Sequence, residues 1–403
     1  MSERKKIAAI ITCYYPFSHA DVIVTKFLKG FPTDEALEAP QVDVVSMYLD
    51  QIHERDVGLS LAEEHGVTRY ESISAALCLG GNELAVDGVL IIGEHGDYAW
   101  NEKEQHLYPR RYFFEQICGV FSTSDRSVPV FSDKHLSWSW EQAKWMYDRA
   151  LDLKIPFMAG SSLPLCYRRP WLEHALETPM IEALSIAYGG LDSYGFHGLE
   201  TLQCMVERRV GGETGIVAVQ CLEGDAVWEA SEKEMWSEEL AEAALGHIEP
   251  GSPVAYRGEG SLRQNSDQAA VFLLEYADGF KAATLMANGF NGWLKGWGYA
   301  ARVENRVESC EFYLHGDPHP HFSFLSLNAQ DLFLTGQPTY PVERTLLVSG
   351  ALEALLDSRH RGHVRIETPH LDVSYRSFSE RPRRAMLERP TGPATVPWRP
   401  ERA

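Results

Sequence analysis

Positive charge is scarce in this chain: 37 Lys and Arg stand against 57 Asp and Glu, a formal net charge of −20 at pH 7. Phosphate backbones and anionic membrane surfaces attract basic proteins, so neither nucleic acid nor membrane is expected as a partner. Long apolar runs are missing as well. No stretch approaches the roughly 18 residues that mark a transmembrane helix. The apolar run inside MSERKKIAAIITCYY is too short for a signal-peptide core but suits a first strand. The seven cysteines (13, 78, 118, 166, 204, 221 and 310) are odd in number and never form C-x-x-C. They read as reduced, buried thiols of a cytoplasmic protein, not as a disulfide frame or zinc site. Internal repeats are absent, and no glycine occurs before Gly30.

What is present suffices for two domains. At 403 residues and 44% apolar content, the chain exceeds one ordinary domain and can fill full cores. Lys6–Thr12, Gln41–Asp50, Val86–Ile92, Val128–Phe131 and Ile155–Ala159 have the length and apolar character of strands. Between them fall a helix starting near Ser18, a short helix within Val67–Leu79, a helix at Tyr112–Phe121 and a Ser-capped amphipathic helix after His135. This alternation predicts a doubly wound parallel sheet. Beyond Gly160 the pattern changes. Pro170–Ala187 reads as a linking helix, Gly189–Arg209 as a glycine turn entering an amphipathic helix, and Val342–Leu356 as a further helix. Ile216–Val219, Val254–Tyr256, Ala269–Tyr276, Lys281–Met286 and Arg302–Tyr313 read as strands, with a hairpin at Asp278-Gly279. The expectation is an α/β Rossmann-type, dinucleotide-binding domain over 1–162 and an α+β domain with an open, largely antiparallel sheet over 163–375. A Pro/Arg-rich tail over 376–403 is either disordered or laid on the surface.

Chemistry gathers at one strand mouth. The run from Phe131 to Gly160, FSDKHLSWSWEQAKWMYDRALDLKIPFMAG, delivers Asp133, Lys134 and His135 where an open α/β sheet places its functional groups. The plain alternative is a solvated loop. This run resembles the Glu-Lys-Pro signature of the Gfo/Idh/MocA oxidoreductases, a family that includes glucose–fructose oxidoreductase and inositol dehydrogenase. GGLDSYGFHGLE is similar to the family's Asp-x-Gly-x-His helix, with Gly195 and His197 in register, and PTYPVERTLLVSGALEALLDSR resembles its C-terminal helix region. The resemblance extends to about Tyr375. It implies the two-domain fold, hydride transfer between NAD(P) and a hydroxyl carbon of a sugar or cyclitol, and catalytic roles for Lys134 and His197. Taking hydride from an alcohol carbon needs a base for the hydroxyl proton, which suits a histidine, and a cation for the developing alkoxide, which suits a lysine.

Three features depart from that pattern. The first loop, TCYYPFSHAD (Thr12–Asp21), lacks the glycines that let a turn approach a diphosphate closely, and Asp21 would repel it. Ser18 and His19 are left as phosphate donors. Asp50, ending the second strand, is placed for the adenine ribose, an acid that favours NAD over NADP. Second, Ser193 stands four residues before His197, where the family has aspartate, and Asp192 is one place earlier; one residue is about 100° on a helix. Asp192 is the catalytic carboxylate expected here. Third, Gly93–Tyr98 (GEHGDY) replaces the family's Pro-Asn segment. Glu94 and Lys134 are expected at the cofactor, and His95, Asp97 and Arg110 at the substrate. Glu94, His95 and Asp97 leave open an acid–base set or a divalent ion, though their spacing matches no metal motif. Trp293, within NGFNGWLKGWGYAAR, reads as a stacking platform for a sugar ring or as a domain or oligomer contact.

The primary expectation is therefore an NAD-dependent oxidoreductase for a sugar- or cyclitol-like substrate, a homo-oligomer associated through its C-terminal sheet. Two alternatives stand beside it. One is a nicotinamide-independent lyase, isomerase or hydrolase, metal-assisted or not, built on Glu94, His95 and Asp97. The other is a non-enzymatic sensor or assembly subunit.

Overall fold

In the computed structural model, which describes residues 4–248, 261–289 and 296–398, two sheets organise the chain. The first has six strands in the spatial order Thr68–Tyr70, Val42–Leu49, Lys5–Ile11, Gly88–Ile92, Val130–Asp133, Phe157–Gly160. All its pairings are parallel. This is the doubly wound order, in which winding reverses between the first strand and the fourth. Ile7 to Ile11 have no exposed surface. A strand covered on both faces needs an unbroken apolar run, which is why period-two alternation is absent there. Serine caps start three of the flanking helices: Ser18 accepts from the Asp21 N–H before His19–Lys29, Ser72 from the Ala75 N–H before Ile73–Cys78, and Ser139 from the Gln142 N–H before Trp140–Asp152.

The second sheet has eight strands, ordered Ile366–Glu367, Ile216–Glu223, Ala270–Tyr276, Lys281–Met286, Met180–Ala187, Trp297–Val303, Arg306–Tyr313, Tyr167–Arg169. Only Met180–Ala187 and Lys281–Met286 pair in parallel. The hairpin at Asp278-Gly279 forms as expected, with Gly279 at φ +86°.

Two segments differ from the sequence expectation. Pro170–Ala187 is not a linking helix; it ends in the central strand Met180–Ala187, whose last five residues are buried. Ladders on both sides and burial on both faces outweigh the helical preference of Glu182, Ala183 and Leu184. Arg302–Tyr313 is not one strand but parts of two, turning at Glu304, which takes φ +52°. Val254–Tyr256 lies outside the described residues.

Helices Ser193–Val206 and Glu343–His360 cover one face of this sheet, with Phe196, Leu199 and Leu346 in its core. Val227, Trp228, Leu240 and Ala244, from helices Asp225–Glu232 and Glu238–Leu245, pack on the other. Neither of these last two helices was anticipated, nor was Pro320–Thr335. That helix returns to the first sheet, where Leu325, Leu332 and Phe333 join Ile7, Ala9 and Ile11. As far as Trp398 the tail is laid against the rest of the chain. The Ala385 N–H donates to the Leu165 carbonyl (3.1 Å), Arg384 pairs with Glu173, and the Lys26 ammonium sits 4.6 Å from the Trp398 ring. No described helix is long and apolar enough to cross a membrane.

Candidate functional site

Where the winding of the first sheet reverses, the C-terminal ends of its strands border a cavity of about 340 Å³. Glu94 and Lys134 line it from that sheet, Asp192 and His197 from the start of helix Ser193–Val206, Trp297 from the second sheet, and His321 from helix Pro320–Thr335.

The charges are arranged in pairs. Lys134, at φ +63° and 2% exposed, donates to Glu94 Oε1 at 2.9 Å. Arg110, without exposed surface, pairs with the other Glu94 oxygen and lies 3.2 Å from His135 Nε2. Burial alone would discourage ionisation of Glu94, but Lys134 and then Arg110 outweigh it and hold the carboxyl well below its usual range. Arg110 therefore stands behind Glu94 and not on the cavity wall. Asp97 is also elsewhere: it is exposed, and its backbone pairs with the Gln51 side chain.

Asp192 is the N-cap of its helix, so the one-residue offset falls in the turn before the helix, and the carboxylate still lines the cavity with His197. Its Oδ2 accepts from the His106 N–H at 3.0 Å, and burial raises its pKa. The imidazoles are driven toward neutrality. Burial pushes His197 well below the ordinary histidine value, reinforced by Lys134, and burial with His19 pushes His95 down to about 4.

Five buried polar atoms on cavity-lining side chains have no hydrogen-bond partner among the described residues: His95 Nε2, Asp192 Oδ1, His197 Nδ1, Trp297 Nε1 and His321 Nδ1. Each such group costs about 1–3 kcal/mol while unmatched, so the arrangement suits a ligand rich in donors and acceptors. Aromatic walls complete it. Tyr194 and Trp297 lie nearly parallel (12°, 5.9 Å between ring centres), and Trp100 stacks on His106 (13°, 4.2 Å). Trp293 lies outside the described residues; Trp297, from the same run, is the ring that reaches the cavity. Among the described residues, no group of three or more His, Cys, Asp or Glu is arranged to hold a metal ion. His106, His321 and Phe322 carried no motif, and only the folding of the polar insertion and of helix Pro320–Thr335 brings them here.

The loops where this kind of sheet holds a dinucleotide are hydrogen-bonded to one another and to themselves. Ser18 Oγ accepts from the Tyr15 N–H (3.1 Å) and the Asp21 N–H (3.3 Å), and Asp21 Oδ2 accepts from the Phe17 N–H (2.8 Å). Amides that could cradle a diphosphate thus have internal partners, and a carboxylate stands at the helix start. Both Asp50 oxygens are engaged, by the Tyr48 hydroxyl (2.7 Å) and the Tyr98 hydroxyl (2.6 Å). Gln51 and Asp97 exchange two hydrogen bonds, 2.8 and 3.0 Å, linking the loops after the second and fourth strands. Tyr14 is fully buried against Gly58, where a Cβ would stand 2.7 Å from its ring. Ser18 Oγ and both Asp50 oxygens thus have partners within the chain, and a dinucleotide with its diphosphate at the first loop would compete with these bonds. His19 differs from them: it pairs with Asp133 and faces the cavity.

The architecture as a whole is shared with several solved structures, inositol dehydrogenases among them. GenD2 from gentamicin A biosynthesis, solved with NAD, superposes at a TM-score of 0.56 and 16% identity, over 91% of this chain and 97% of that one. Scyllo-inositol dehydrogenase from Lactobacillus casei, with NAD(H) and scyllo-inositol, gives 0.56 and 11% over 91% and 99%. Myo-inositol dehydrogenase from the same organism, with NAD(H) and myo-inositol, gives 0.54 and 10% over 91% and 97%. At such identities the likeness is one of fold. No protein-family model and no curated protein sequence matches the chain.

Proposed function

We propose that the chain is an enzyme acting on an uncharged, polyhydroxylated small molecule, sugar- or cyclitol-like, by proton transfer between its own side chains and the ligand. The observation that carries this reading is the cavity itself, in which five unpartnered buried polar atoms and aromatic rings surround the Lys134–Glu94 pair. The ammonium of Lys134, held by Glu94, is placed to polarise a carbonyl or to stabilise an oxyanion. Asp192, its pKa raised by burial, is suited to exchange a proton closer to neutrality than an ordinary carboxyl. Neutral His197 accepts from or donates to a ligand hydroxyl. The division at residues 162/163 and 375/376 goes with this reading, the cavity lying where the two domains meet. Association of copies through the second sheet belongs to it too.

The test is incubation with cyclic and linear keto-polyols in D2O without nicotinamide, following exchange of the C–H next to the carbonyl by proton NMR. Exchange that Lys134→Ala abolishes is expected. No exchange with any of them refutes the reading.

A second reading, nicotinamide-dependent oxidation or reduction of the same substrate class, is favoured by the fold neighbours that hold NAD(H), two of them with an inositol. It requires the first loop to release Ser18 and the Asp50 carboxylate to leave its tyrosines, after which Asp50 would again favour NAD over NADP. Unchanged nicotinamide fluorescence up to millimolar NADH and NADPH is expected from the first reading. Micromolar binding with turnover establishes the second.

A further inference from the structure

The first loop ends in an imidazole with a carboxylate behind it. His19 Nδ1 lies 2.5 Å from Asp133 Oδ2, with the two side chains 14% and 0% exposed. Asp133 closes the fifth strand, directly before Lys134, and its second oxygen is buried without a partner. Among the described residues, His19 is thus the one side chain hydrogen-bonded to that carboxylate. The ring is packed edge-to-face on two further sides, against His95 and Phe322, with centres 5.3 Å away in each case. His19 lines the cavity, and with Nδ1 turned to Asp133 its Nε2 is the nitrogen left for a ligand. Glu94, His95, His197 and His321 are ionisable groups within electrostatic reach of the ring.

We infer that His19 is the catalytic base of this cavity and that Asp133 is its positioning residue. A buried carboxylate accepting the Nδ1–H selects the tautomer whose Nε2 carries a lone pair, and it stabilises the imidazolium formed when that nitrogen takes a proton. In the reaction, Nε2 forms a bond to the proton of a C–H next to a carbonyl. The C–H electron pair stays on the substrate as an enolate, whose oxygen faces the Lys134 ammonium. Return of the proton from His19 to the same carbon completes an exchange; return to the former carbonyl carbon, with the neighbouring hydroxyl passing its proton to the enolate oxygen, completes an isomerisation, in both cases without oxidant or reductant. The substrate step rests on the function proposed above; the state of the dyad does not.

The test therefore has two independent parts. In protein labelled with 15N-histidine, with His19 assigned through His19→Asn, the neutral form of the wild-type ring is expected to carry its proton on Nδ1. A neutral ring protonated at Nε2 overturns the dyad. Ethoxycarbonylation by diethyl pyrocarbonate, read by peptide mass spectrometry with exposed His65 as internal standard, is expected at His19. It should slow at least about tenfold in Asp133→Asn, as the reactive tautomer is lost; an unchanged rate also overturns the dyad. If this chemistry stands and wild-type protein exchanges a keto-polyol C–H, His19→Gln should lower the exchange rate at least about 100-fold with KM within about threefold. Retained exchange in His19→Gln refutes the catalytic assignment. Absent exchange in wild type refutes the proposed function and leaves the tautomer result untouched.

Discussion

Glu94→Gln would leave Lys134 and Arg110, 2% and 0% exposed, without the carboxylate that now lies between them. Glutamine has nearly the same size, so no cavity forms and the loss is electrostatic. Removing one partner of a buried ion pair costs about 3–5 kcal/mol, and here two cations share the partner. The expected loss at pH 7 is therefore within that range and toward its upper end. The pH dependence follows from the depressed pKa of Glu94. A carboxyl whose folded value lies below its unfolded value of about 4.3 contributes its full stability above the unfolded value and loses it as pH falls through the folded one. The gap between wild type and Glu94→Gln should thus be largest near neutrality and narrow in acid below about pH 4. Urea midpoints followed by tryptophan fluorescence give both quantities. Adding Arg110→Met should recover at least about 1 kcal/mol relative to the sum of the single losses. A loss below about 1 kcal/mol at pH 7, or a gap that acid leaves unchanged, would refute an ionised Glu94 held between two cations.

Three further outcomes are expected. Gly58→Ala places a methyl against the buried Tyr14 ring and should cost about 1–3 kcal/mol in denaturant unfolding; a neutral result would mean that the loop packs loosely over the groove. His95 should titrate near 4 by NMR, because burial disfavours its cation. With its folded value below the unfolded value of about 6.5, its contribution is full above the unfolded value and lost as pH falls toward 4, and a midpoint near 6.5 would contradict the buried placement. Ser139→Ala removes the acceptor for the Gln142 N–H and should lower stability by about 1 kcal/mol, read as a shift in urea midpoint without a change in slope.

The parallel sheet was legible because its strands are covered on both faces, which demands unbroken apolar runs such as Ile7–Ile11. Helix starts at Ser18 and after His135 were legible because capping is local chemistry, and Lys134 because it stands at a strand mouth. The absence of glycine before Gly30 already spoke against a conventional diphosphate turn. Other features had no local signal. Met180–Ala187 became a strand because of the neighbours on its two sides, and helix Pro320–Thr335 was passed over although it carries His321 and Phe322 to the cavity. Sequence periodicity reports which faces are buried, not what they are buried against. Asp50 looked free for a ribose until the fold brought Tyr98 to it from 48 residues away, and His19 looked like a phosphate donor until Asp133 met it from 114 residues away. The chain alone determined the sheet, the strand-mouth lysine and the missing glycines. Only the tertiary structure decided which carboxylates and hydroxyls are satisfied internally, because such hydrogen bonds join loops that packing, not proximity in the chain, brings together.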